Sequence, residues 1–521
     1  MTTISPPSLS AFSNEPVADF RRDENAQAMR AAIADVRAQM GREYDLVIGG
    51  HRFRTSEKIE SRNPAHPGEI VGVHQKAGHD QVEPAIQAAL QAFEGWKNRP
   101  WEERAELIFR VAAILRRRKP EFNAWMVLET GKNWDEAEAD TCEAIDFCEL
   151  YARAALHLAE AEPAVQLPGE RDSLRYIALG AGAVIAPWNF PLAILCGMTT
   201  ASIVCGNTVV IKPSSDTPTI VAKLFEALEE AGMPPGVVNF CPGSGATFGQ
   251  GVVEHPKTRF IAFTGSRDAG LDIHLRAAHL QPGQIWIKRT VLEMGGKDSI
   301  IVDADADLDR AVEGVAVSAF GFQGQKCSAC SRAIVDERIY NPFLQRLRER
   351  VSRIRIGDPA ENFAMGPVIN EGALKSILKY IEIGRREGRL LTGGTRASGD
   401  GYFLEPTVFA DVAPRARIAQ EEIFGPVLAV IKASDFSDAL RIANNTEYGL
   451  TGAVYTASPT KIEKAKRDFH VGNLYINRKC TGAVVGANPF GGFNMSGTDS
   501  KAGGAEYLYL FTQAQSIGER L

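Results

Sequence analysis

The sequence predicts an α/β protein with two α/β domains, one of the dinucleotide-binding type, and a small third β element. Two rhythms and one length carry this. From Leu174 to Phe263 strand-like runs alternate with helical ones, the pattern of a mostly parallel sheet with right-handed crossovers. A second series of the same kind runs from Ser299 to Ile476. At 521 residues the chain is also too long for one ordinary compact domain.

Taken in order, the polar N-terminal stretch gives way to a helix over 25–40 and then to short β-rich runs between Asp45 and Val73. Three amphipathic helices follow. The first, over 81–96, gathers Val82, Ile86, Leu90 and Phe93 near one face; 101–118 does the same with Leu107, Val111 and Leu115 before Pro120 interrupts; 135–158 is the third. In the first alternating series the strands are 183–186, 208–211, 237–240 and 260–263, with helices over 192–205 and 220–231. In the second the strands are 299–302, 332–335, 449–455 and 473–476, with helices over 308–320 and 342–354. No internal repeat or low-complexity tract interrupts the pattern.

Composition excludes several classes of function. Basic and acidic residues number 58 and 64, mixed along the chain, so no track for nucleic-acid phosphates is expected. The longest apolar stretch, 177–211, is broken by Pro187, Asn189 and Pro191, which argues against a membrane span. The first residues lack an apolar run, and Glu15, Asp19, Asp23 and Glu24 fit a mitochondrial presequence poorly. With eight cysteines spread over a long chain, reduced thiols and a cytoplasmic location are the expectation.

Several local patterns bear chemistry, each with a plainer rival. G-x-G-x-x-G is absent; Gly243-Ser-Gly245-Ala-Thr-Phe-Gly249 comes nearest and is one residue too long, so a phosphate loop and a simple turn compete. Thr264-Gly265-Ser266 after a strand would let backbone approach a pyrophosphate at a helix start. Cys327 and Cys330 form a C-x-x-C that reads as a redox pair, half a zinc site, a nucleophile with a bystander, or inert core thiols. None of the nine histidines supplies a second pair of ligands at metal spacing, so no metal is expected. Glu293 beside Gly295 and Gly296, at the end of a strand-like run from Trp286, is either a turn carboxylate or a base. Asn189 between two prolines is either a turn amide or an oxyanion donor.

In series the motifs stop being isolated. PWNFP at 187–191, VVIKPS at 209–214, FTGS at 263–266, LEMGGK at 292–297, FQGQKCSA at 322–329, EEIFGPV at 421–427 and NPFGGFNMSG at 488–497 resemble, in order and separation, the aldehyde dehydrogenase superfamily. SNEPVADF at 13–20, GFQGQKCSACSR at 321–332 and HVGNLYINRKCTGAVVGANPFGG at 470–492 are similar to the branch that acts on glutamate γ-semialdehyde. The resemblance implies a Rossmann-type cofactor domain of residues 1–159 and 179–294, a catalytic domain of 295–491, and an oligomerisation hairpin and tail of 160–178 and 492–521 that pair strands across a dimer.

It also implies roles. Cys327 is the nucleophile, Asn189 an oxyanion donor and Glu293 the base that hydrolyses a thioester. Lys212, Ser215, Ser266, Gly245, Gly249, Glu422, Phe424 and Trp188 bind the cofactor, NAD. Many NAD-preferring relatives carry Glu where Ser215 stands, so NADP is expected as a usable second cofactor. Ser328, Gly482 and Ala483 hold the substrate carboxylate, Glu143 its ammonium, and Phe190 and Phe493 its stem. A solvated helix carboxylate competes for Glu143, and core packing for the two phenylalanines. The implied setting is a homo-oligomer, a dimer at the least, working with a separate proline dehydrogenase. Rival readings are a dehydrogenase for another ω-semialdehyde, a CoA-acylating relative, and a non-catalytic structural oligomer on the same fold.

Overall fold

The computed structural model describes residues 9–521. Its centre is two seven-stranded sheets. In the first, the strands Arg289–Glu293, Phe260–Thr264, Ala181–Ile185, Thr208–Lys212 and Val238–Phe240 lie side by side in parallel. Leu46–Ile48 and His51–Phe53 extend that sheet antiparallel at one edge, turning through Gly49 and Gly50 at φ 61° and 82°. The order matters more than the count. From Ala181–Ile185 the next two strands add on one side, and Phe260–Thr264 then returns to the other side. Such a reversal opens a crevice at the carboxyl ends of the strands flanking it.

In the second sheet the order is Arg389–Thr392, Thr407–Ala410, Val427–Ala433, Arg332–Asp336, Ser299–Val302, Thr451–Tyr455, Asn473–Ile476, parallel except for the first strand. Alternate residues feed different cores. Ile300 and Val302, with Ala333 and Val335, meet the helices Leu308–Phe320 and Tyr340–Val351 on one face. Ile301 and Ile334 meet Glu371–Glu387 and Phe436–Asn444 on the other. Burial on both faces is why these strands read as unbroken apolar runs. The helix Ala193–Val204 is apolar on nearly every side and is correspondingly enclosed by the first domain's core.

The structure departs from the sequence expectations at several places. Pro120 starts a helix, Lys119–Thr130, because its fixed φ and missing N–H cost nothing in a first turn. The helix Glu371–Glu387, absent from the sequence reading, covers one face of the second sheet. The run 449–455 divides: Thr451–Tyr455 joins the large sheet, whereas Tyr448–Gly449 pairs with Phe493–Asn494. Residues 160–169 form no strand, and Glu170–Ala178 pairs antiparallel with Thr512–Arg520 of the same chain.

Gly182 packs face-on against the fully buried ring of Phe260, where an added Cβ would overlap it. Gly182→Ala is expected to lower stability by about 1–3 kcal/mol through overpacking, read as a lower denaturant midpoint; an unchanged midpoint would mean that the ring can yield.

Candidate active site

A cavity of about 750 Å³ occupies the crevice where the first sheet reverses. Its lining brings together all eight residues singled out for a cofactor: Trp188, Lys212, Ser215, Gly245, Gly249, Ser266, Glu422 and Phe424. Asn189 and Cys327 line the same space. Residues 185–189 and 263–266 enter it because they follow the two strands that flank the reversal. Ser266 caps the helix Arg267–Ala278, accepting from the Ala269 N–H at 3.4 Å, so the positive end of that helix faces the cavity. Asp216, Gln250, Asp272 and Arg276 also line it and went unread in the sequence, since no motif marks them.

Burial shifts two charged groups of this cavity toward their neutral forms. Desolvation draws the Lys212 ammonium down to about 8, with Asp216 opposing the shift. Its Nζ donates to the carbonyls of Pro213 at 2.8 Å and Gly243 at 3.3 Å. Burial pushes the Glu422 carboxyl up to about 7, although the Gly296 N–H donates to it at 3.0 Å. Glu422 packs so tightly on Gly295 that a side chain there would strike it.

Cys327 arrives on a loop that enters through left-handed backbone at Phe322, Gln323 and Gly324 (φ 48°, 57° and 67°). The Gln323 amide donates to the carbonyls of Gly131 at 3.1 Å and Pro367 at 2.8 Å. Lys326 pairs with Glu136 at 2.9 Å. Asn189 donates to the Gln325 carbonyl at 3.0 Å, which couples the PWNFP turn to the cysteine loop and leaves its second amide hydrogen free. Burial, then the carboxylates of Asp298, Glu422 and Glu293, push the Cys327 thiol well above its ordinary value. Cys330 turns away into the second domain's core, where its sulfur lies 3.4 Å from the Arg332 carbonyl.

Glu293 ends its strand but does not line the cavity, although Met294 and Gly295 after it do. One carboxylate oxygen accepts from the Ser500 hydroxyl; the other is buried without a partner. Burial pushes this carboxyl up to about 8, against the Ser500 hydrogen bond and the Lys501 charge.

The six residues read as substrate contacts lie outside the cofactor cavity lining. Ser328 is buried directly after Cys327. Gly482 is exposed at φ 76°, and its carbonyl accepts from Arg478 at 2.8 Å; Ala483 follows, half-buried. Glu143, half-buried on the helix Trp134–Ala159, is pushed up to about 8 by burial and then by Asp140. The Phe190 ring carries the Lys132 ammonium at 4.0 Å, and that ammonium is paired with Asp140 in the interior. Asp140 also accepts from the Ala193 N–H at 2.7 Å, fixing the helix that follows Phe190. Phe493 packs on His470 with ring centroids 5.0 Å apart.

Cys327 and the Asn189 amide meet in a dinucleotide-sized crevice, with the buried Glu293 carboxyl just beyond its lining, and residues 52–517 match the aldehyde dehydrogenase family. The chain belongs to that family. A relative from Geobacillus thermodenitrificans, a 1-pyrroline-5-carboxylate dehydrogenase, is 57% identical over 98% of this chain and 99% of its own. The crystal structure of 1-pyrroline-5-carboxylate dehydrogenase from Thermus with bound NAD superposes with a TM-score of 0.97 at 52% identity, covering 99% of this chain and 100% of that one. Proline utilization A from Bdellovibrio bacteriovorus matches at 45% identity and a TM-score of 0.97; the match covers 99% of this chain and 54% of that one.

Because the Glu293 carboxyl sits near 8, the ionised fraction that can take a proton grows as pH rises through that value. Any step in which Glu293 is the base should therefore show an acid limb near 8 that Glu293→Gln removes. A rate flat between about pH 6 and pH 9 in the parent protein would show that Glu293 is not the base.

Proposed function

We propose that this protein oxidises glutamate γ-semialdehyde, the open form of 1-pyrroline-5-carboxylate, to glutamate with NAD as acceptor. The observation that carries the reading is the meeting of Cys327 and Asn189 with Lys212, Ser266 and Glu422 around one cavity. Full-length similarity to proteins of that name supports the substrate.

The cavity's donors suit a dinucleotide. Ser266 and the helix it caps would face the pyrophosphate, Lys212 and Glu422 the ribose hydroxyls, and Trp188 and Phe424, whose rings lie 5.4 Å apart, the nicotinamide end. When bound, NAD supplies a hydride acceptor and a positive charge close to the thiol. The chain's own residues do the rest. With its proton lost to solvent, the Cys327 sulfur adds as thiolate to the aldehyde carbon, and the Asn189 amide with the Cys327 backbone N–H donates to the oxygen that becomes negative. Loss of hydride from that carbon leaves a thioester on Cys327. Glu293 then takes a proton from water as the water oxygen adds to the thioester carbon. The carbon–sulfur bond breaks with its electron pair staying on Cys327, and glutamate is released.

Ser215 is exposed at the cavity and uncharged, so nothing on it repels a 2′-phosphate and NADP serves as a second cofactor. The protein acts in the cytoplasm as a homo-oligomer, a dimer at the least, with the exposed strands Glu170–Ala178 and Thr512–Arg520 as its pairing element. Its substrate comes from an enzyme that oxidises proline.

Cys327→Ala should abolish aldehyde oxidation while NAD binding, read by fluorescence titration, survives; a parallel loss of NAD binding counts against the assignment. Donors at Ser328, Gly482 and Ala483 left unpaired by a substrate without a carboxylate should cost at least ~100-fold in kcat/KM. Comparing glutamate γ-semialdehyde with an unsubstituted aldehyde of equal length decides the substrate: equal efficiency would sink it and leave the general dehydrogenase.

A further inference from the structure

The carboxyl of Glu293 is gripped from one side only. Glu293 and Ser500 are 8% and 4% exposed, and the Ser500 hydroxyl donates to Oε1. Oε2, equally enclosed, has no partner among the described residues. The approach requires glycine: a Cβ on Gly491 would collide with the Ser500 carbonyl and come within 3.0 Å of Oε1. Gly497 forms a bridge with Glu293 itself, and a Cβ there would lie 2.7 Å from the Leu292 carbonyl. The segment 491–501 is thus built against this one side chain.

Lys501 completes the arrangement without touching a carboxylate. Its Nζ donates to the carbonyls of Gly472 and Gly491, each at 2.6 Å, and to Asn473 Oδ1 at 3.3 Å. It therefore pins the chain on both sides of the cradle and leaves its charge uncancelled by a contacting anion. The other groups facing Glu293 are the Gly492 backbone N–H, which favours its ionisation, Asp499, which opposes it, the buried Tyr507 and Cys327.

We propose that Ser500 and Lys501 are positioning residues for Glu293: Ser500 occupies one carboxylate oxygen so that Oε2 is the one that accepts the proton of water, and Lys501 locks the loop and favours the ionised carboxylate. This rests on Glu293 being the hydrolytic base. In the step served, one water O–H bond breaks, its proton goes to Oε2, the water oxygen bonds the thioester carbon, and Cys327 leaves as thiolate. A hydroxyl that donates to the carboxylate stabilises only its charged state. Removing it should raise the pH at which hydrolysis begins without touching the earlier hydride transfer.

The test follows NADH formation in rapid mixing, with trapped acyl-enzyme measured by mass spectrometry, across pH. Glu293→Gln is the reference and should give a burst followed by a slow rate. Ser500→Ala should keep the burst, lose roughly 3- to 10-fold in the post-burst rate near neutral pH, and recover toward the parent rate at high pH, a limb moved up by about half to one unit. Ser500→Thr, which retains the hydroxyl, should restore the limb. Lys501→Met should move the limb the same way and Lys501→Arg should not; if the lysine variants fail to fold, the two serine variants decide alone. A limb unmoved in Ser500→Ala, or a loss equal at every pH with the burst gone, overturns the cradle. Absence of burst and acyl-enzyme in Glu293→Gln overturns instead the assignment of the base, and the cradle with it.

Discussion

Phe322, Gln323 and Gly324 hold left-handed backbone in succession, a conformation that costs about 1–2 kcal/mol for each residue bearing a side chain. The rest of the site depends on this stretch, because it delivers Cys327 into the crevice of the other domain. Strain of this kind persists only where the surroundings over-determine it. The Gln323 amide is tied to carbonyls at Gly131 and Pro367, from different parts of the chain. The Phe322 ring is wedged between Trp188 and Phe190, 6.4 and 6.2 Å away. Gly324 abuts the Gly425 carbonyl, where no side chain fits. On the far side Gly296 lies so close that a Cβ would come within 2.6 Å of the Cys327 carbonyl.

The electrostatics follow from that enclosure. Thiol, carboxyl and ammonium groups are all shifted toward their neutral forms, with desolvation the first cause at Cys327, Glu293, Glu422 and Lys212 alike. In the proposed mechanism a positive ring beside Cys327 would favour the thiolate, and the later hydrolytic step would fall to Glu293. The two steps then draw on different sides of the nucleophile. Asn189 is anchored to the cysteine loop through Gln325, whereas Glu293 is anchored to the segment 491–501.

Much of this was legible beforehand. Strands buried on both faces and helices entered through residues such as Pro218 and Asp307 were read to within a few residues, since periodicity and capping are local. Pro120 does interrupt the helix that ends at Arg117, but the helix it opens was not legible, because a proline tolerated in a first turn gives no sign of what that turn packs against. The division of 449–455 was invisible for a similar reason: Leu450 separates residues that face two different partner strands. Asp272 and Arg276, one turn apart on the helix capped by Ser266, reach the cavity only because that helix starts at the sheet reversal.

By itself the sequence determined the α/β class and the family, because each rests on patterns whose order survives without coordinates; the roles proposed for Cys327, Asn189 and Glu293 rest on the same motifs. Tertiary structure alone decided that Asn189 and Cys327 share a cavity with the eight residues proposed for the cofactor while Glu293 faces Ser500 and Lys501 instead. Those juxtapositions join positions distant in sequence, Glu293 and Ser500 among them at 207 residues apart, and they come from strand order and from close backbone approaches at Gly296, Gly324 and Gly491. Side-chain direction at the end of a strand is set by what packs against it, and no local pattern encodes the packing partner.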